Sequence, residues 1–134
     1  MSVVNGRNNL HPVIATISGF DEPSEVAVNQ TTSTVYVTNF RNDTVSVINA
    51  RTNTVTRTIQ AGPFPSALAL NPLTSTLYVA NDGNNTMSLI STTTNTVTST
   101  VPVGNNPAAI AVDTLIATAY VANELSNTVS ALTN

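Results

Sequence analysis

Five carboxylates, Asp21, Glu22, Asp43, Asp82 and Glu124, lie in short polar stretches that also hold the cation Arg41. Gathered around a common axis, such oxygens would form the hard ligand set that Ca²⁺ takes. Spread along the chain, they would be solvated turn formers, because Asp and Asn bond their own backbone locally. These six residues are the candidate ligand-binding set. Ca²⁺ is the one metal they suit, and no cofactor is otherwise implied.

Other residue types offer chemistry as well. His11 is the only histidine. A general base needs a nucleophile and an orienting carboxylate within hydrogen-bond reach, and the local sequence supplies neither, so His11 reads as a surface turn residue. No catalytic set is identified. Asn39, Asn81 and Asn123 can line a channel mouth or close an Asx-turn on the following N–H groups; the turn is the expected role. Tyr36, Tyr78 and Tyr120 can stack on a sugar, but mid-strand they are expected to pack, with the hydroxyl reaching a partner. The Asn-X-Thr sites at Asn29, Asn42 and Asn84 arise by chance in a chain this rich in Asn and Thr.

Composition removes several function classes. Charged residues make up 8 % and apolar ones 41 %, so the polar surface is built from Thr, Ser and Asn. The cations are Arg7, Arg41, Arg51 and Arg57, with no lysine. Nucleic-acid affinity scales with the phosphates such groups neutralise, so neither nucleic acid nor an anionic membrane is an expected partner. The lack of cysteine removes disulfides, thiolate catalysis and Cys-ligated zinc. Met1–Arg7 has no apolar core behind a basic start, so no signal peptide is expected. No apolar run approaches the roughly 18 residues a membrane helix needs.

A repeat must position all of these residues. Tyr36, Tyr78 and Tyr120 are spaced 42 apart, as are Pro23, Pro65 and Pro107, and Ala27, Ala69 and Ala111. Each unit reads as four short strands: Glu25–Asn29, Val35–Asn39, Thr44–Asn49 and Val55–Ile59 in the first copy, bounded by turn residues. The first strand carries a small Ala at its centre, which suits an inner position where sheets converge. The fourth is Thr-rich, which suits an outer, half-solvated edge. Four strands in a period of about 40–45 residues mark a β-propeller blade, so the expected fold class is all-β.

The strings Val35-Tyr-Val-Thr-Asn39, Leu77-Tyr-Val-Ala-Asn81 and Ala119-Tyr-Val-Ala-Asn123, with the Thr-Asn-Thr-Val runs at 52–55 and 94–97, resemble the YVTN β-propeller repeat. The resemblance implies a surface-layer-like protein outside the cytoplasm, and it attaches no functional residue to the motif. Copy three departs from the pattern at Leu115-Ile116-Ala117. On a propeller, ligands gather where loops enter the first strand and leave the second. These loops are 18–22, 60–64 and 102–106, with 40–43, 82–85 and 124–127, and they hold the carboxylates above.

A closed propeller has about four to eight blades, so three leave bare faces. The expected organisation is an extension at 1–8, a fourth strand at 9–22 for a partner's blade, blades at 23–64 and 65–106, and a blade at 107–134 lacking its fourth strand. Two copies exchanging strands head to tail would close a six-bladed homodimer. Ser2-Val-Val-Asn-Gly-Arg7 echoes Ser46-Val-Ile-Asn-Ala-Arg51, a remnant third strand that favours a truncated longer propeller instead. The preferred function is a noncatalytic scaffold binding a protein or glycan. The alternatives are a metal-dependent lactonase-like or lyase-like enzyme, and a minimal propeller, evolved or engineered, with no ligand.

Overall fold

The computed structural model describes residues Met1–Val4, Gly6 and Val13–Asn134. Arg7, His11 and the start of the expected 9–22 segment lie outside the described residues. Thirteen strands follow in order among the described residues. They are β1 (Ser2–Val4), β2 (Val13–Thr16), β3 (Pro23–Asn29), β4 (Thr34–Asn39), β5 (Thr44–Asn49), β6 (Thr54–Gln60), β7 (Pro65–Asn71), β8 (Thr76–Asn81), β9 (Thr86–Ser91), β10 (Thr96–Pro102), β11 (Pro107–Asp113), β12 (Thr118–Asn123) and β13 (Thr128–Thr133). A 3₁₀ turn, Glu124–Ser126, precedes β13. Two four-stranded antiparallel meanders, β3–β6 and β7–β10, are flanked by a two-stranded sheet, β1–β2, and a three-stranded one, β11–β13. The fold is all-β and propeller-like.

Each first strand begins two residues before its expected start, at Pro23, Pro65 or Pro107, and the register skips directly afterwards. Proline has no N–H to give a ladder, so it is tolerated at a strand's first residue beside a bulge.

The strand at the N-terminus keeps the expected echo in its pairing. Ser2 faces Thr16, Val3 faces Ala15 and Val4 faces Val13, with a register shift between Val3 and Val4. In the complete sheet, Ser46 faces Thr58, Val47 faces Arg57 and Ile48 faces Val55, with the shift at the same place. β1 therefore pairs with β2 as a third strand pairs with a fourth. The echo runs 44 residues back, not 42, because the segment joining β1 to β2 is two residues longer than its counterpart joining β5 to β6.

The sheets pack face to face, and the cores lie between them. Tyr36, Val45, Val47 and Ile59 of one sheet meet Leu68, Leu77, Val79 and Ile90 of the next. Tyr78, Met87 and Leu89 likewise meet Ala119 and Val121. At the other end Val35, Val37 and Ile48 are covered by Ile17, Met1, Val3 and Phe20. First strands lie side by side, β3 against β7 and β7 against β11. Ser24 Oγ donates to the Pro65 carbonyl at 2.9 Å, and Ser66 Oγ to the Pro107 carbonyl at 2.7 Å. The fourth strands β6 and β10 are largely exposed, as their Thr content implies.

Turns repeat with the same fidelity. Among the described residues eleven non-glycine residues have positive φ, and they fall at four equivalent positions, among them Ser33, Ser75 and Ala117. A left-handed backbone presses Cβ against the following carbonyl oxygen, and Asn tolerates this better than Ala. Ala117→Asn is therefore expected to stabilise the chain by about 0.5–1 kcal/mol, read as a higher urea midpoint at unchanged m-value.

Candidate functional site

The loops entering first strands and leaving second strands share one end of the sheets, and their geometry repeats. Glu22, Phe64 and Asn106 occupy one left-handed position, and Asp43, Asn85 and Asn127 another. The N–H groups of Phe40, Asp82 and Glu124 bond the carbonyls of Glu22, Phe64 and Asn106 at 3.1, 3.0 and 2.9 Å. Adjacent sheets are also tied together here. Asp43 Oδ1 accepts the Phe64 N–H at 2.9 Å, and its carbonyl accepts the Ala61 N–H at 2.8 Å. Asn85 does the same with Asn106, at 3.0 Å, and Val103, at 3.0 Å. A neutral amide fills the role that Asp43 fills, so the charge on Asp43 is not needed for the tie.

The remaining candidate residues are placed as follows. Glu22 and Arg41 form an exposed ion pair, and that hydrogen bond, with a smaller contribution from the Asp21 charge, raises the guanidinium pKa. Glu124 Oε2 accepts from Asn106 Nδ2 at 2.9 Å. Asp82 is half-buried and is anchored by its backbone bond to Phe64. The structure thus brings together Glu22, Arg41 and Asp21, and distributes Asp43, Asp82 and Glu124 over successive loops. Among the described residues no three Asp, Glu or His groups converge as metal ligands would. Beside the ion pair, the Phe40 and Phe64 rings stack at 5.1 Å, with Phe64 46 % exposed. Gly83 makes room for them, since a Cβ there would lie 2.7 Å from the Phe64 ring.

Asn39, Asn81 and Asn123 correct the sequence reading. They do not close Asx-turns. Each is buried and turns its amide across the strand pair: Asn39 Nδ2 donates to Thr44 Oγ1 and Ser46 Oγ at 3.1 and 2.9 Å. Asn81 bonds Thr86 and Ser88 at 3.0 and 2.9 Å, and Asn123 bonds Thr128 and Ser130 at 3.2 and 2.9 Å. A buried NH₂ group has two protons to satisfy, and hydroxyls two residues apart on the facing strand supply both acceptors. Only Asn81 also has its oxygen paired, with the Gly62 N–H at 3.1 Å. Asx-turns are closed instead by Asn49, which accepts the Arg51 N–H, and by Asn29, Asn71 and Asp113 at the far end, which accept N–H groups two and three residues on. Their recurrence at the 42-residue step was the available signal.

Tyr36 and Tyr78 pack between sheets at 2 % and 0 % exposure, whereas Tyr120 is 41 % exposed on the open side of the last sheet. Burial raises the Tyr36 hydroxyl pKa above 10.0, and the polar Thr92 side chain nearby offsets part of that shift. The Tyr78 hydroxyl is buried with no partner. Opposite outcomes follow for the same deletion. Tyr36→Phe is expected to cost about 1 kcal/mol, and Tyr78→Phe to gain about 1 kcal/mol, because it removes an unpaired buried group. Because the folded pKa of Tyr36 is raised, its contribution is complete below pH 10 and is lost as pH rises through the folded value. Urea titrations across the alkaline range should show that loss flattened in Tyr36→Phe.

Comparison with known proteins agrees with this geometry. The profile of the YNCE-like beta-propeller family matches residues 6–125. The chain belongs to that family. Solved structures similar to this YNCE-like propeller include hydrazine synthase of Kuenenia stuttgartiensis, at 26 % identity and TM-score 0.74, over 81 % of this chain and 31 % of that one. A functionally unknown protein from Desulfotomaculum acetoxidans matches at 20 % identity and TM-score 0.76, covering 92 % and 45 %. The WD40 β-propeller domain of Doa1 matches at 15 % identity and TM-score 0.77, covering 90 % and 40 %. The last two likenesses concern the fold alone. The chain spans less than half the length of each of these structures. No curated protein sequence matches it.

Proposed function

We propose that this YNCE-like propeller is a noncatalytic scaffold of the YVTN type, closed into a six-bladed ring by a second copy and presenting its loop end to a protein or glycan. The blades run over 23–64, 65–106 and 107–134, with 9–22 lending the fourth strand across the junction. One observation carries the reading: the Asp43 side chain is occupied in tying sheet to sheet, and neutral Asn85 makes the same tie one repeat on. The same end presents a stacked aromatic pair beside an exposed ion pair. Such a surface suits the face of a sugar ring or an aromatic peptide side chain.

The metal-dependent enzyme reading requires convergent carboxylates, and calcium titration separates the two. A scaffold keeps its melting temperature in millimolar CaCl₂, whereas a native-state metal site raises it. Solution mass should be twice the 14.0 kDa of the chain. The third-strand register of β1 equally favours a piece of a longer propeller. That reading is adopted, and self-closure abandoned, if the protein sediments as a single chain.

A further inference from the structure

The two bare ends of the stack are the two halves of a junction that already exists inside it. On the last sheet, Tyr120 is 41 % and Val129 65 % exposed, with Ala131 exposed beside them. One and two repeats earlier, their counterparts are buried core: Tyr78, Met87 and Leu89, and before them Tyr36, Val45 and Val47. Those cores are capped by the opposite face of the following sheet, through Leu77 and Val79 or through Ala119 and Val121. The equivalent capping face at the other end of this chain is made by Val35 and Val37.

That capping face is only half covered. Met1 and Val3 of β1 and Ile17 after β2 lie against Val35, Val37 and Ile48. By the pairing of β1 with β2, Met1 stands where Val45, Met87 and Val129 stand in the repeat, and Val3 where Val47, Leu89 and Ala131 stand. Nothing among the described residues takes the tyrosine's place. A groove of about 300 Å³ lies there between Met1, Val3 and Val35 on one side and Val26 and Val28 on the other. Val26 is 48 % exposed, whereas its counterpart Leu68 is 6 % exposed.

We propose that β1 is a placeholder strand: it occupies, on the edge of β2, the seat of β13 from a second copy of this chain. This rests on the ring-forming scaffold reading above. Ser88 faces Thr100, so Ser130, one repeat on, would face Thr16 of the partner copy in the register that Ser2 uses now. Six-residue β13 outmatches three-residue β1 in ladder length, and Tyr120 arrives with it to fill the groove. Asn127, in the left-handed position of Asp43 and Asn85, brings an amide oxygen to the incoming copy as those residues do to the next sheet. Assembly is therefore an exchange in which a short internal strand leaves and a longer one from the partner enters.

The chain has no cysteine, so introduced pairs test the exchange cleanly in the full-length protein. Met1 and Ile17 exchange both backbone bonds, at 3.0 and 2.9 Å. Ser2 and Thr16 are thus a non-hydrogen-bonded pair, whose Cα atoms at about 4.5 Å suit a disulfide. Oxidised Ser2→Cys/Thr16→Cys should remain a single chain and regain the dimer on reduction. Thr16→Cys/Ser130→Cys should cross-link into a covalent dimer. Val3→Pro, which removes a donor from β1 alone, should tighten dimerisation by about tenfold or more, since the competent state no longer competes with the placeholder. If the oxidised Ser2→Cys/Thr16→Cys protein dimerises as wild type does, the placeholder role is overturned while the ring stands. If wild type and every variant stay single chains, self-closure fails, and the placeholder with it.

Discussion

Asn81→Leu is expected to destabilise the protein by about 4 kcal/mol, a fall in melting temperature on the order of 15 °C. The side chain is fully buried and makes three bonds, to Thr86, Ser88 and the Gly62 N–H. Leucine fills the same space but orphans a hydroxyl at 2 % exposure on Ser88 and a backbone donor in the loop to the next sheet. Each such group costs about 1–3 kcal/mol when left dry. The repeat supplies an internal control. Copy one has Phe20 where copy two has Gly62, and the oxygen of Asn39 is unpartnered. Asn39→Leu should therefore cost about 1 kcal/mol less than Asn81→Leu; equal losses would mean that the Gly62 bond contributes nothing.

Gly62 belongs to the same unit. A Cβ there would lie 2.4 Å from Asn81 Cγ, so Gly62→Ala must displace the asparagine or the loop, at a cost of about 2–3 kcal/mol. Shortening residue 81 to alanine relieves the crowding. The two substitutions should then couple by 1 kcal/mol or more (about the upper half of the range for contacting residues) in a double-mutant cycle. Additive losses would place the strain of Gly62→Ala elsewhere. Gly104 stands in the same relation to Asn123, with the nearest atom at 2.6 Å.

The strands were legible because prolines, tyrosines and alanines return at one step, so each copy checks the others. The buried asparagines were not. Sequence order places Asn39 beside Phe40 and Arg41, whereas its partners Thr44 and Ser46 become neighbours only once β4 and β5 pair in register. The recurring hydroxyls Thr86/Ser88 and Thr128/Ser130 carried that signal, but Thr and Ser recur throughout the chain, so their spacing alone does not distinguish acceptors from surface residues. Asp43 shows the converse: its counterparts are Asn85 and Asn127, so the repeat itself already indicated a role that needs no charge. The Glu22–Arg41 pair crosses from one loop to another, which only the packing of the fold brings together. The Phe40–Phe64 stack joins loops of successive sheets, and no spacing within one copy reveals it.

Tyr120→Asp is expected to abolish self-association, raising the dimer dissociation constant about 100-fold or more, while leaving the unfolding midpoint of the single chain within about 0.5 kcal/mol of wild type. These two readouts separate because Tyr120 is exposed in the isolated stack yet occupies the position that Tyr36 and Tyr78 fill inside it. A carboxylate brought into that junction would be desolvated without a partner, which costs far more than the lost ring contacts. The complementary gain is available one strand inward, on β11. Ser24 and Ser66 each donate across an internal junction, but the third copy has Ala108 at that position, so the proposed junction to a second copy would lack its inner hydroxyl. Ala108→Ser should restore the bond to Pro23 of the partner copy and tighten dimerisation about fivefold, the equivalent of one hydrogen bond of about 1 kcal/mol. Sedimentation of both variants over a dilution series reads the two effects together. A dimer that survives Tyr120→Asp and ignores Ala108→Ser would be held by some other surface, because both residues lie on the sheet whose counterparts form the internal junctions.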